Sequence, residues 1–346
     1  MAGHDGGLEV MRRVGIVGAG AWGTALASVA RRAGREVVIW AYEEEVAAAI
    51  NERHENPVYL PGAALDPGIA ATTEMARAAA ADVVLLVAPA QFLRAVSASL
   101  APHLEAGVPV VICAKGIERD SGALMTEVAA ETLPGAPVAV LSGPTFAAEV
   151  AAGLPTAVTL ACADQGLGGR LVAALGARCF RPYLSDDLVG TQIGGAVKNV
   201  IAIAGGIAVG RGLGDNARAA LTTRGLAEMT RLAAAKGARP ATMMGLSGLG
   251  DLTLTCNSEQ SRNMSLGIAL GRGESLEQVL AGRRSVAEGV TTAPSVVALG
   301  RRLEVEMPIS AAVDAVLHHG AGISETIEAL MARPFKAEMP ELRERG

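Results

Sequence analysis

Residues 14–32 read VGIVGAGAWGTALASVARR, and this stretch decides the fold. Val14 to Val17 is a short apolar run of strand type that passes directly into Gly18-Ala19-Gly20-Ala21-Trp22-Gly23, and Thr24 to Arg32 then follows a helical pattern. A GxGxxG turn between a strand and a helix marks a dinucleotide-binding βαβ unit. Gly18 permits the tight turn, Gly20 lets the backbone approach a pyrophosphate, and Gly23 lets the helix pack closely on the strand. The N-terminus of the helix turns free N–H groups and a positive dipole end towards the phosphates.

Outward from this unit, β-branched runs alternate with Ala-rich helical patterns, as in a parallel sheet with crossover helices. The strands are expected at Val14 to Val17, Val37 to Trp40, Val83 to Val87, Val108 to Ala114 and Val138 to Leu141, then Thr156 to Ala161 and Arg178 to Tyr183. Their near-continuous apolar character indicates cover on both faces. From about Ser185 the strand signal stops, and helices are expected at Asp187 to Gly210, Ala217 to Lys236, Ser261 to Leu270, Thr291 to Arg302 and Ile309 to Leu317. The fold class is therefore α/β: a Rossmann-like doubly wound domain over residues 12–186, followed by an all-helical domain over 187–346. A packed junction near residue 186 leaves a cleft between them, where small ligands bind preferentially. Residues 1–11, polar and glycine-rich, read as a disordered extension and not as a secretory signal.

With 346 residues, half of them hydrophobic, the chain buries a large core without help from disulfides. Its net charge of −5 argues against a nucleic-acid surface, so the partner is a small molecule. Cys113, Cys162, Cys179 and Cys256 show no metal-binding spacing and read as buried free thiols of a reducing cytoplasm. No metal is called for. The run from Leu188 to Gly210 is apolar enough to resemble a membrane span, but Lys198, Asn199 and six glycines interrupt it, and a core helix is expected instead.

At the end of the second strand, where such domains meet the adenosine ribose, the chain reads Trp40-Ala41-Tyr42-Glu43-Glu44-Glu45, with no arginine between Arg35 and Arg53. A carboxylate here accepts from ribose hydroxyls and repels a 2′-phosphate, which favours NADH over NADPH. The alternative is that the three glutamates are only the acidic first turn of the next helix.

Lys198 sits in a run that is apolar on nearly every face. Burial there depresses its pKa towards the range of acid–base work near neutrality, unless the chain snorkels to an edge. Asn199 beside it offers a donor and an acceptor to a ligand. Asp251, in GLGDLTLTC at 248–256, lies among glycines and leucines and calls for a cationic partner, for which Lys198 is the natural candidate. Ser261-Arg262-Asn263 opens a helical run and can converge on one anion, or can be a plain surface cap with an exposed arginine. Lys115 and the turn Ser142 to Ala147 follow sheet strands, at the edge where open α/β sheets bind ligands.

Seven segments together resemble one family, the bacterial-type NAD(P)-dependent glycerol-3-phosphate dehydrogenases: GAGAWGTALA at 18–27, AKGIE at 114–118, SGPTFAAEV at 142–150, GGAVKNVIAIAGG at 194–206, GLGDLTLTC at 248–256, SRN at 261–263 and VAEGV at 286–290. The resemblance implies reduction of dihydroxyacetone phosphate to sn-glycerol 3-phosphate with NAD(H) or NADP(H), supplying phospholipid synthesis, in a cytoplasmic homodimer. It implies Lys198 as acid/base, Asp251 as its partner and Lys115 as a stabiliser of developing charge. As substrate contacts it implies Lys115, Gly143, Thr145, Ser261, Arg262 and Asn263, alongside Lys198, Asn199 and Asp251. As cofactor contacts it implies Ala21, Trp22, Tyr42, Lys115, Ala147, Arg262, Val286 and Glu288, with Gly18, Gly20 and Gly23. Tyr42 departs from the basic residue many members carry there, which weakens the case for NADP. The rival readings are a β-hydroxy-acid or sugar-acid dehydrogenase of the same architecture, whose substrate carboxylate Arg262 could hold, and a dinucleotide-sensing protein without turnover.

Overall fold

The computed structural model describes residues 11–281, 287–335 and 337–338. The expected N-terminal extension, apart from Met11, and Val286 lie outside the described residues.

Ten strands are present among the described residues: β1 Arg13–Val17, β2 Glu36–Trp40, β3 Glu55–Asn56, β4 Leu60–Ala64, β5 Ile69–Thr72, β6 Val83–Leu86, β7 Val110–Ile112, β8 Val138–Ser142, β9 Thr156–Cys162 and β10 Phe180–Ser185. Helices α1 Ala21–Arg32, α2 Glu44–Arg53, α3 Met75–Ala79, α4 Leu93–Leu100, α5 Met125–Thr132, α6 Ala147–Ala151 and α7 Gln165–Leu175 accompany them. After β10 the chain is helical: α8 Leu188–Gly210, α9 Gly214–Ala235, α10 Asp251–Cys256, α11 Arg262–Gly271, α12 Leu276–Ala281, α13 Glu288–Arg302, α14 Pro308–His318 and α15 Ile323–Met331.

The main sheet has eight strands in the order β10-β9-β8-β7-β6-β1-β2-β5. β1 lies between β2 and β6, parallel to both, with Gly15 opposite Val38 and Val84. The chain thus winds outward through β2 and β5 and then crosses to β6, so the switch point falls between the ends of β1 and β6. There the apolar runs are covered on both faces: every residue of β6, and all of β1 except Arg13, is buried.

The expectation of a uniformly parallel sheet needs one correction. β9 runs antiparallel to β8, with Leu141 opposite Leu160, and β10 is parallel to β9. Only the five-residue α6 stands between β8 and β9, whereas the eleven-residue α7 carries the parallel return to β10. A parallel return needs a full crossover and an antiparallel one does not. Two further elements escaped the sequence pattern. β5 is the alanine-rich edge strand IAAT, and the β3–β4 hairpin contains Pro57, Pro61 and Gly62, so neither carries a β-branched run. The expected strand at 108–114 narrows to β7, and that at 178–183 moves to β10.

α8 is the one helix among the described residues long and apolar enough to cross a membrane, and 89% of its most apolar window is buried inside the protein. It is the axis of the helical half. Every residue from 190 to 208 is buried. Asp187 caps its start, accepting from Gly190 N at 2.8 Å, and the other carboxylate oxygen accepts from Arg239 N at 2.9 Å and Thr242 Oγ1 at 2.6 Å. One side chain thereby ties the beginning of α8 to the segment leading to Asp251. Cys113, Cys162 and Cys256 are buried and free, as expected, but Cys179 is only half-buried, because it precedes β10 in an exposed turn.

α8 and α11 pack backbone to backbone. A Cβ on Gly206 would stand 2.2 Å from Met264 O, and one on Gly267 would stand 2.2 Å from Ile203 O. Helix propensity alone favours Gly206→Ala by about 0.5–1 kcal/mol, but overpacking against rigid backbone costs about 1–3 kcal/mol or more. Gly206→Ala is therefore expected to lower the urea midpoint; a midpoint at or above wild type would mean that the two helices can part freely.

Candidate active site

The glycine-rich turn has the shape a pyrophosphate requires. Gly18 has φ +118°, and a Cβ there would lie 2.8 Å from Val87 O at the end of β6. A Cβ on Gly23 would lie 1.8 Å from Gly18 O, so the helix can approach the turn only without one. A Cβ on Gly20 would meet no atom of another segment within 4 Å, so the space beside it is open. Gly20 is the N-cap of α1 and no side chain caps it, which leaves first-turn N–H groups for a ligand. These features fit a dinucleotide. Ala21, Trp22 and Ala147 are half-buried against the same core cluster, so the start of α6 borders the start of α1.

At the end of β2 the three glutamates separate. Glu44 and Glu45 are exposed in the first turn of α2, as the structural alternative has it, whereas Glu43 is half-buried and its Oε1 accepts from Tyr59 Oη at 2.6 Å. Tyr42 is 81% exposed and meets Trp40 edge-on, with ring centroids 6.3 Å apart. Arg35 and Arg53 are engaged elsewhere: Arg35 donates to Ala174 O and Ala173 O, and Arg53 to Glu55 at 2.8 Å.

Across the junction, the chemistry-bearing residues converge on one carboxylate. A π-turn over Leu246–Gly250 leads into Asp251, the first residue of α10, and a Cβ on Gly194 of α8 would stand 2.4 Å from Ser247 O, so that glycine lets the turn seat against the helix. Asp251 is fully buried. Its Oδ1 accepts from Lys198 Nζ at 2.6 Å and its Oδ2 from Lys115 Nζ at 2.7 Å.

The two lysines differ in what they have left to give. An ammonium carries three N–H donors. Lys115 Nζ also donates to Gly143 O at 2.9 Å, and its third donor faces Thr145 Oγ1 at 3.5 Å, the outer limit of a hydrogen bond. Lys198 Nζ adds only Thr255 Oγ1 at 2.8 Å, and that hydroxyl in turn donates to Asp251 O at 2.6 Å. One N–H of Lys198 therefore remains for a ligand. Burial pushes the Lys198 ammonium down to about 8, with Asp251 pulling it back up and Lys115 adding to the fall.

Asn199 and Asn263 are both buried and face each other, with Asn263 Nδ2 donating to Asn199 Oδ1 at 2.9 Å, while Asn263 Oδ1 accepts from Gly289 N at 2.9 Å. These amides lock α8, α11 and α13 around the lysine. Ser261 caps α11, accepting from Met264 N at 3.2 Å, and Arg262 at the first helical position is exposed. Glu288 begins α13. Burial raises its carboxyl above the ordinary range, and the charges of Arg262, Lys115 and Lys198 oppose that rise.

Sequence reasoning paired Asp251 with Lys198 but treated Lys115 separately, and it missed Thr255. The signal for Thr255 was present, since it lies one helical turn beyond Asp251. Of the expected contact residues, Lys115, Gly143, Thr145, Lys198, Asp251, Arg262 and Glu288 share this corner of the junction. Gly18, Gly20, Ala21, Trp22, Gly23 and Ala147 border the glycine-rich turn, and Tyr42 stands at the end of β2.

A Rossmann-like domain with a dinucleotide-shaped turn, facing a helical domain that presents a desolvated lysine, defines a two-domain nicotinamide-dependent dehydrogenase. Sequence models of the NAD-dependent glycerol-3-phosphate dehydrogenase N-terminus and C-terminus match residues 13–167 and 187–328, and the chain belongs to that family. It is 59% identical over 326 residues to a glycerol-3-phosphate dehydrogenase [NAD(P)+] of Caulobacter vibrioides, covering 94% of this chain and 98% of that one. It is 60% identical over 331 residues to the protein of the same name from Rhodospirillum rubrum, covering 95% of each. The crystal structure of glycerol-3-phosphate dehydrogenase from Coxiella burnetii superposes with a TM-score of 0.90 at 37% identity, covering 93% of this chain and 99% of that one.

Removing one partner from a buried charge pair leaves the other uncompensated, at a cost of about 3–5 kcal/mol. Asp251→Ala should lower unfolding stability by that order, and adding Lys198→Met should recover part of the loss, because one orphaned cation goes with it. Strictly additive losses in a urea-denaturation double-mutant cycle would contradict the pairing.

Proposed function

We propose that this protein reduces dihydroxyacetone phosphate to sn-glycerol 3-phosphate with NADH, reversibly, and that the product feeds glycerophospholipid synthesis. In this reading residues 12–186 bind the dinucleotide, 187–346 bind substrate and supply the acid, and the enzyme works as a cytoplasmic homodimer. The observation that carries the mechanism is the buried Lys198 ammonium, held by Asp251 Oδ1 at 2.6 Å and Thr255 Oγ1 at 2.8 Å with one N–H left over.

A nicotinamide dinucleotide held by the Gly18–Gly23 turn and the start of α1 would supply the hydride for the C2 carbonyl carbon. As negative charge grows on the carbonyl oxygen, the remaining N–H of Lys198 donates to it, the proton crosses, and Lys198 is left as the neutral amine held by Asp251 and Thr255. With its pKa lowered to about 8, Lys198 is mostly protonated at pH 7, yet gives up its proton far more readily than an ordinary lysine. Lys115, held by Asp251 at 2.7 Å and Gly143 O at 2.9 Å, anchors the carboxylate and adds positive potential beside the developing oxyanion. Arg262, exposed at the start of α11, is set to hold the substrate phosphate together with that helix end, so that remote binding energy orients the reacting carbon. The preference for NADH is supported by the held Glu43 carboxylate and by the engagement of Arg35 and Arg53 elsewhere.

Lys198→Met removes the proton at nearly constant volume and is expected to lower kcat roughly a hundredfold or more, the scale of a general acid, with NADH affinity unchanged. Retention of most of the wild-type turnover would remove Lys198 from the mechanism. Arg262→Ala is expected to weaken the phosphorylated substrate by about 1.5–3 kcal/mol, the scale of a hydrogen bond to a charged group. The preference for dihydroxyacetone phosphate over dihydroxyacetone should shrink accordingly. An equal loss for both ketones would assign Arg262 to the cofactor instead.

A further inference from the structure

The β3–β4 hairpin, whose turn holds Pro57, Val58 and Tyr59, reaches both the glycine-rich turn and the end of β2 through two residues three positions apart. Asn56 has no exposed surface. Its Nδ2 donates to Ala19 O at 2.8 Å and to Thr24 Oγ1 at 2.8 Å, and its Oδ1 accepts from Tyr59 N at 3.1 Å. Thr24 Oγ1 also donates to Ala19 O, at 3.3 Å. Ala19 is the middle residue of Gly18-Ala19-Gly20. Because a trans peptide is planar, its C=O and the following N–H point opposite ways. Holding Ala19 O towards Asn56 therefore turns the Gly20 N–H away from the hairpin, and the space beside Gly20 is open. At the other end of the hairpin, Tyr59 Oη donates to Glu43 Oε1 at 2.6 Å, directly after β2. That bond is the chief reason the Tyr59 hydroxyl is pushed up to about 12, so the tyrosine keeps its proton, and remains the donor, across the neutral range.

We infer that the β3–β4 hairpin positions the adenosine half of the dinucleotide site: Asn56 sets the Ala19–Gly20 peptide plane against which the pyrophosphate rests, and Tyr59 holds the Glu43 carboxylate where it excludes a 2′-phosphate. The second half of this inference rests on the reading of the protein as NADH-preferring. Neither residue touches the reacting atoms, so both are positioning residues. Loss of Asn56 acts on both dinucleotides alike, because they share a pyrophosphate. Loss of the Tyr59 hydroxyl frees Glu43 to swing into solvent and acts on the ratio between them.

The test is a fluorescence titration of NADH and NADPH onto full-length wild type, Asn56→Ala and Tyr59→Phe, with unfolding midpoints and kcat at saturating NADH measured alongside. Asn56→Ala should raise both dissociation constants by about tenfold, the scale of two lost buried hydrogen bonds, with kcat changed less than about threefold. Tyr59→Phe should leave the NADH constant within about twofold and improve NADPH relative to NADH by about threefold or more, less than the full scale of a hydrogen bond to a carboxylate because Glu43 is only half-buried. Unchanged dissociation constants in Asn56→Ala with a lowered unfolding midpoint would reduce Asn56 to a structural residue and overturn the first half. An unchanged nucleotide ratio in Tyr59→Phe would overturn the second. If Asn56→Ala does not fold, Thr24→Ala, which removes one leg of the same bridge, takes its place with the same direction expected for both nucleotides. Wild-type protein that binds NADPH as tightly as NADH contradicts the NADH reading itself, and that outcome is separate from the shift between wild type and Tyr59→Phe.

Discussion

The carboxylate of Asp251 is the point on which the two halves of the molecule agree. It is fully buried and lies between an ammonium from the helical half, Lys198, and one from the end of a sheet strand, Lys115. A buried carboxylate with a single lysine would be a balanced pair; with two it carries a local excess of positive charge, where an anionic substrate or a growing oxyanion completes the balance. Glu288, at the start of α13, lies within electrostatic reach of the same cations, which oppose the rise that burial gives its carboxyl. The surrounding architecture serves this cluster. Asp187 anchors the segment that leads to the π-turn, Gly194 lets the turn reach α8, and the facing amides of Asn199 and Asn263 hold α8 against α11 and α13.

Much of this was legible in the sequence, for definite physical reasons. The glycine-rich turn was legible because a strand, a tight turn and a helix leave a pattern that few other structures share. Lys198 stood out because an ion in an apolar helix is costly, and the cost itself signals a partner. The helical half was legible because apolar periodicity survives even where glycine is frequent. What escaped was set by tertiary contacts. The direction of β9 depends on how little helix precedes it. The β3–β4 hairpin lacks a β-branched run, and it is held by the side chains of Asn56 and Tyr59, not by pattern. The surroundings of Lys115 could not be read from spacing, since Gly143, Thr145 and Asp251 come from segments far apart in the chain. The acidic run at 43–45 was ambiguous for a different reason: identical residues take different roles, and only Glu43 is held inward.

The two ends of the dinucleotide site obey different physics. Around Lys198, where the proposed reading sets the nicotinamide, the side chains are buried, and desolvation drives the ammonium down while Asp251 opposes the fall. At the end of β2, which the proposed reading gives to the adenosine, the groups are partly exposed, and discrimination there would depend on the one carboxylate that Tyr59 holds. Electrostatic effects are large in the first setting and modest in the second, so substitutions near Lys198 should be read in kcat and those near Glu43 in nucleotide ratios.

The central claim is that the desolvated Lys198 ammonium is the proton donor, and the pH dependence of kcat/KM for dihydroxyacetone phosphate at saturating NADH tests it most directly. A general acid must be protonated to act, so the rate of reduction is present below the donor's pKa and lost as pH rises through it. The account predicts a single-group decline through about 8, the value to which burial lowers this lysine. A profile that stays flat until the ordinary lysine range near 10.4, or that shows no decline at all, would contradict it.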